Sequence, residues 1–202
     1  MKISGQYSTN FGAKLISRTN IKKYEGNEDK YKDYKASFVE IDPKNKNDRR
    51  AMSDAVYYWK SDSYGMNVVA RMDDLAKNED DNPADKIYAI TTQKDRFSKL
   101  DSDRIEAVAH VFETNKRVQL VYLQVNPDLI YGWKNPDYKY VGKGMIDSLK
   151  DKYHDRSIIL VPSKTAEKFY EKQGFEYFND GENRMIWNKQ AEEQSEYKDE
   201  YW

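Results

Sequence analysis

The chain has 202 residues, a length that suits one domain with extensions or two small ones. Hydrophobic residues make up 38% and charged residues 34%, so a core has to come from clustered apolar segments, with 17 Tyr, 7 Phe and 4 Trp supplying large buried area per residue. Lys plus Arg, 34, nearly balance Asp plus Glu, 35, which argues against a dedicated nucleic-acid binder with a basic face, and the lack of Cys removes disulfides and thiolate chemistry.

No apolar run reaches the roughly 18 residues of a membrane span, and the first residues lack the apolar core of a signal peptide. A soluble cytoplasmic protein is the expectation. Residues 1–34 are polar and rich in Tyr and Lys, with Asn27-Glu28-Asp29-Lys30 as an exposed loop. Residues 36–41 predict a strand stopped by Asp42-Pro43. Asp48 then predicts the opening of a helix that runs to Tyr58 or Trp59, with Met52, Val56 and Trp59 on one face. A second helix, from Tyr64 to Lys77, turns Val68, Met72 and Leu75 inward.

Strands are predicted over residues 86–92, over 104–113 with Ala107, Ala109 and Val111 on one face, and over 118–125. The last is nearly all apolar, which predicts a central strand buried on both faces. Residues 128–138 form a polar, aromatic connection. Met145, Ile146, Leu149 and Tyr153 share one face of a helix preceded by the turn Tyr140-Val141-Gly142-Lys143-Gly144. Strand, glycine-bearing turn and helix together suit a phosphate. Glycines admit a close ligand and positive φ, free N–H groups and the helix dipole face the anion, and Lys143 adds a charge. Two glycines in a turn are weak grounds alone, since many surface turns share them.

Residues 157–161 predict a parallel strand reached by a right-handed crossover. Ser163 is the expected N-cap of the next helix and Gly174 its stop. Residues 175–178 and 184–187 predict a hairpin turned by Asn179-Asp180-Gly181. The remainder is a polar, mostly acidic tail.

Two segments resemble the GNAT superfamily of N-acetyltransferases. The acetyl-CoA loop of that family, Gln/Arg-x-x-Gly-x-Gly/Ala, is matched by Lys139-Tyr140-Val141-Gly142-Lys143-Gly144, with Lys in the first place. The more specific Asn-x-x-Ala-x-x-hydrophobic-Tyr-Glu-Lys-x-Gly-Phe is matched from Ser163 through Ala166, Phe169, Tyr170, Glu171, Lys172 and Gly174 to Phe175, with Ser163 in place of Asn. The resemblance covers residues 35–189 and leaves 1–34 as an N-terminal extension and 190–202 as a tail. It implies an α/β (α+β) fold: a mixed, mostly antiparallel sheet with helices on both faces and two splayed central strands. It also implies transfer of an acetyl group from acetyl-CoA to the primary amine of a small molecule or peptide, by direct attack in a ternary complex. A non-catalytic CoA-binding or protein-interaction module is the alternative, and a homodimer is one option for assembly.

The roles that the resemblance implies fall on named residues. The backbone of Leu123, Gln124 and Val125 would hold the pantetheine arm. The segment Lys139, Tyr140, Val141, Gly142, Lys143 and Gly144 would hold the diphosphate, with Ser163 nearby. Tyr170 would protonate the leaving thiolate, and a phenol suits that task by its reference pKa. For the general base, Glu106 and His110 share a strand face but lie about 13 Å apart at the usual rise per residue, so they cannot both serve one nitrogen; a water chain is equally open. His110 has the more apt ordinary pKa. Tyr131, Trp133 and Tyr138 are candidates for an acceptor pocket, or simply cover the domain. No cluster has metal-ligand spacing.

Overall fold

The structure, a computed structural model, describes residues 12–26, 30–59, 64–77, 84–130, 135–178 and 181–188. Among them the elements run β1 (Lys14–Tyr24), β2 (Tyr31–Glu40), α1 (Lys46–Tyr58), α2 (Tyr64–Lys77), β3 (Asp85–Thr91), β4 (Ile105–Glu113), β5 (Arg117–Val125), β6 (Tyr138–Lys139), α3 (Val141–Lys152), β7 (Ser157–Leu160), α4 (Glu167–Lys172), β8 (Glu176–Tyr177) and β9 (Met185–Trp187). The strands form one sheet in the order β6-β1-β2-β3-β4-β5-β7-β9-β8. Strands β5 and β7 pair in parallel; the other described pairings are antiparallel.

The alternation of the long strands sorts the apolar residues into two cores, one on each face of the sheet. Met145, Ile146 and Leu149 of α3 pack with Ala107, Ala109 and Val111 of β4 on one side. Met52 and Val56 of α1 and Val68 and Met72 of α2 pack with Ile87, Ala89 and Val108 on the other. Helices therefore cover both faces of a mixed, mostly antiparallel sheet, the architecture the sequence predicts.

Residues 14–24 and 31–34, read from sequence as part of an extension, lie within the sheet. Strand β1 runs beside β2 through Tyr24↔Tyr31 and carries β6 on its outer edge. It buries Thr19 and Ile21, while Lys14 and Asn20 face solvent. One narrow apolar stripe in a polar strand gives little periodic signal. The predicted loop residues 27–29 and the tail from 189 lie outside the described residues.

Three local expectations are corrected. Helix α1 is capped by Asn45, whose side chain accepts from the N–H groups of Asn47 and Asp48. Asp48 sits inside the first turn, fully buried, and reaches back to accept from the Asp42 N–H at 3.1 Å. Ser163 does not cap a helix: its carbonyl closes a turn onto the Ala166 N–H, and α4 begins at Glu167 with Ala166 as N-cap. Finally, β5 is not buried on both faces. Its residues 121–125 are half-exposed, because they form a wall rather than a core strand.

Candidate active site

The wall arises from a register fault. Between the pairs His110↔Tyr122 and Val111↔Leu120, β5 carries one extra residue, Val121. Such a bulge bends its strand. The parallel ladder to β7 spans Arg117↔Ser157 to Gln119↔Ile159, ending just before the bulge. Beyond it the strands separate, and a cleft of about 670 Å³ opens between them. Leu123, Val125 and Phe169 line it from the α3 side of the sheet, and Tyr122 from the α1/α2 side. The cleft therefore passes through the sheet.

The start of α3 forms one end of this cleft. Tyr140 is its N-cap, in the left-handed region at φ 65° and ψ 20°, without a side-chain capping bond. Glycines 142 and 144 are not among the positive-φ residues, so the turn predicted from them is already helix and the reversal falls on Tyr140. A non-glycine residue in that region stores roughly 1 kcal/mol or more of strain. The geometry leaves the first-turn N–H groups of Val141, Gly142 and Lys143 without intrahelical acceptors. The glycines serve close approach instead. A Cβ on Gly142 would lie 3.2 Å from Val125 Cγ2 and 3.3 Å from Phe169 Cζ, in the cleft wall. One on Gly144 would lie 3.1 Å from Thr19 Oγ1 and 3.2 Å from Ile21 Cγ2, inside the fold.

No protein-family profile and no curated protein sequence matches the chain. Among solved structures it is similar to the Bacillus subtilis N-acetyltransferase YlbP in complex with coenzyme A, at 18% identity over 71% of this chain and 90% of that one, with a TM-score of 0.43. It is also similar to the PaiA N-acetyltransferase from Thermoplasma acidophilum in complex with coenzyme A, at 13% identity over 75% and 96%, with a TM-score of 0.47. A third likeness is to the KacTA–DNA complex, at 16% identity over 68% and 87%, with a TM-score of 0.41. At such identities and scores nothing about substrate or partner passes to this chain. What decides the architecture is on the sheet itself: three antiparallel strands, a helix, a parallel strand splayed from its neighbour, a helix and a hairpin. This arrangement agrees with the fold that the resemblance to the GNAT superfamily implies.

In this cleft the structure brings together Leu123, Gln124, Val125, Lys139, Tyr140, Val141, Gly142, Lys143, Ser163 and Tyr170, ten of the residues picked out by sequence. Gly144 lies behind the wall, where its carbonyl accepts from Thr19 Oγ1 at 3.2 Å. Lys143 Nζ pairs with Asp147 one turn on, and Lys139 Nζ sits 3.9 Å above the Tyr31 ring. Ser163 Oγ faces Thr165 Oγ1 at 3.3 Å. Tyr170 is 9% exposed, and its ring packs edge-on against Phe169 and Phe175. Burial, with a lesser contribution from the nearby Tyr64 hydroxyl, pushes its phenol up to about 12.

The two base candidates separate. Glu106 occupies a bulge of β4, between the pairs Ile90↔Ala107 and Thr91↔Ile105. Bulges re-aim side chains. Burial pushes its carboxyl up to about 7, against the Asn126 side chain, whose Nδ2 donates to Oε2 at 3.5 Å. Asn126 follows the lining residue Val125 in the chain, so the Glu106 carboxyl lies behind the wall rather than in it. His110 is tied elsewhere. Its Nε2 donates to Asp85 Oδ1 at 2.6 Å, and Arg71 holds the same carboxylate through Nε and Nη2. Burial pushes the imidazole below its usual value despite Asp85. Burial also opposes the Asp85 charge, yet Arg71 and His110 together hold that carboxyl below its usual range. Neither His110 nor Glu106 is among the described cleft-lining residues, so what separates them is that His110 is held by Asp85 while Glu106 lies against Asn126.

Tyr131 and Trp133 lie outside the described residues. Tyr138 lines the cleft with its ring 5.6 Å from that of Tyr34. Sequence reading missed Tyr64, Tyr122, Leu129, Ile130 and Phe169, all in the lining. Tyr122 and Phe169 lie within or beside segments already singled out. For Tyr64 and Ile130 the local pattern holds no signal, because their role is set by the distant β5 wall.

Proposed function

We propose that the protein transfers an acyl group, most simply acetyl, from acetyl-CoA to a primary amine. The observation that carries this is the single cleft joining the uncapped start of α3 to the buried phenol of Tyr170. The residues present fit CoA. Three first-turn N–H groups and a helix dipole suit a diphosphate, Gly142 leaves the wall open where a Cβ would fill it, and residues 121–125, half-exposed beyond the end of the ladder to β7, suit an amide-bearing arm. The thioester brings the activated acyl group.

The chain's own residues align the amine with it, the largest service a site without a covalent nucleophile offers. The amine nitrogen bonds to the acyl carbon, the carbon–sulfur bond breaks, and the ammonium proton leaves toward Glu106 through water. A phenol at about 12 is a weaker acid than a thiol of about 8.5, so full protonation of a thiolate by Tyr170 is uphill by roughly 5 kcal/mol. Its service is a hydrogen bond to the departing sulfur, for which it stays protonated at every working pH. His110 positions β3 against β4 through Asp85.

The test is a pair of measurements on the full chain: calorimetric titration with CoA, and acetyl-CoA thioester consumption across a panel of amines. Binding with turnover that drops in Tyr170→Phe supports acyl transfer. Tight CoA binding with no turnover on any amine supports the binding module instead, and no CoA binding overturns both.

A further inference from the structure

The two sides of the cleft differ in chemistry. Toward α3 it offers backbone amides and the cations Lys139 and Lys143. Toward α2 the wall is aromatic and aliphatic. Tyr64, the first residue of α2, stacks on Tyr122 with centroids 5.7 Å apart and planes at 27°. Ile130 continues the surface just beyond β5 and is 54% exposed although it is a large aliphatic side chain, while Leu129 beside it packs toward the α3-side core. Tyr64 also lies close enough to Tyr170 for its hydroxyl to bear on that phenol, so this wall adjoins the reacting end of the cleft.

Such a wall selects by what it desolvates. An aliphatic or aromatic group seated on it gains roughly 25 cal/mol per Å² of apolar surface removed from water. A second ammonium placed there loses hydration. The two stacked rings already use one face each on one another, and Lys172 adds a further like charge to the lining. Polyamines and lysine chains therefore fit poorly, while an amine beside an apolar group fits well.

Proton transfer points the same way. An α-amine next to a carbonyl has an ordinary pKa near 8, a lysine ε-amine near 10.4. Passing a proton to a carboxylate near 7 is about tenfold uphill from the first and over a thousandfold from the second.

We infer that the acceptor is an α-amine adjoining a carbonyl group, whose aromatic or large aliphatic side chain seats against Tyr64, Tyr122 and Ile130. This rests on the acyl-transfer reading and narrows it to one class of amine. Free amino-acid derivatives and peptide N-termini share that chemistry.

The experiment compares kcat/KM at pH 7.5 and saturating acetyl-CoA for phenylalaninamide, glycinamide, a tripeptide amide beginning with Phe, Nα-acetyl-lysinamide and spermidine. CoA affinity is measured separately by calorimetry. The expected result is at least a tenfold preference for phenylalaninamide over glycinamide, and at least a hundredfold preference over the lysine derivative and spermidine. The tripeptide arm tells a peptide N-terminus from a free amino-acid derivative. Tyr64→Ala is expected to collapse the Phe-over-Gly ratio through KM while the Kd for CoA holds within twofold. CoA binding accompanied by equal rates for Phe and Gly, by preference for lysine or spermidine, or by no acetylation at all would overturn the inference while leaving the cofactor site standing. Loss of CoA binding itself would remove the acyl-transfer reading beneath it.

Discussion

Gly142 and Gly144 differ by half a helical turn, and their substitution by Ala should fail in different ways. At Gly142 the new methyl meets Val125 Cγ2 at 3.2 Å and Phe169 Cζ at 3.3 Å. Both neighbours are part of the cleft wall and half-exposed, so each has room to give a few tenths of an ångström. Replacing a helical Gly by Ala returns up to about 1 kcal/mol of propensity, which offsets that adjustment. Stability should change by less than about 1 kcal/mol, or under roughly 4 °C in Tm. The methyl nevertheless occupies the space beside the first-turn amides. A loss of at least tenfold in CoA affinity is expected, which is about 1.4 kcal/mol. At Gly144 the methyl meets Thr19 and Ile21 on the far side of α3, where β1 is backed by the sheet. Overpacking there should cost about 1–3 kcal/mol, with CoA affinity held within twofold in the folded fraction. Thermal melts and calorimetric titration of both variants read the contrast. Unchanged CoA affinity in a folded Gly142→Ala protein would refute the placement of the diphosphate at the start of α3.

Tyr170→Phe removes the hydroxyl but keeps the ring contacts with Phe169 and Phe175, so kcat should fall by one to two orders of magnitude with Kd for CoA held within threefold, read by thiol release and titration. Glu106 has a folded pKa of about 7 against an ordinary value of 4.5, so the fold favours its neutral form. Its stabilising contribution is present below about pH 4.5 and is lost as pH rises through about 7. Glu106→Gln should therefore be more stable than the native chain at pH 8, by about 1–3 kcal/mol, and should lose the rise of kcat/KM through pH 7; denaturant melts and rate profiles at several pH values check both. His110→Phe should cost about 2 kcal/mol by stripping a bond from the charged Asp85, lowering Tm by roughly 4–8 °C. Its kcat should stay within about threefold, and a hundredfold loss in a folded variant would restore His110 to the chemistry.

The parts of the fold that sequence reveals are those with strong period. Val68, Met72 and Leu75 set α2 at Tyr64–Lys77 because their spacing admits little else. The parts it hides are those decided across the sheet. An apolar run such as residues 118–125 reads as a core strand, yet the extra residue Val121 and the short ladder to Ile159 turn half of it into a cleft wall. Gly142 and Gly144 mark the right place for a reason other than positive φ, which falls on Tyr140. Ser163 looks like a cap by type, but the turn onto Ala166 delays α4 to Glu167. His110 and Glu106 are equivalent on paper. Asp85 and Arg71, 25 and 39 residues away in the chain, separate them.

The most direct measurement is a crystal structure of the protein grown with CoA. The account predicts diphosphate oxygens within hydrogen-bond distance of the Val141, Gly142 and Lys143 amides, and the thiol sulfur beside the Tyr170 hydroxyl. CoA bound away from α3, or a sulfur remote from Tyr170, would contradict it.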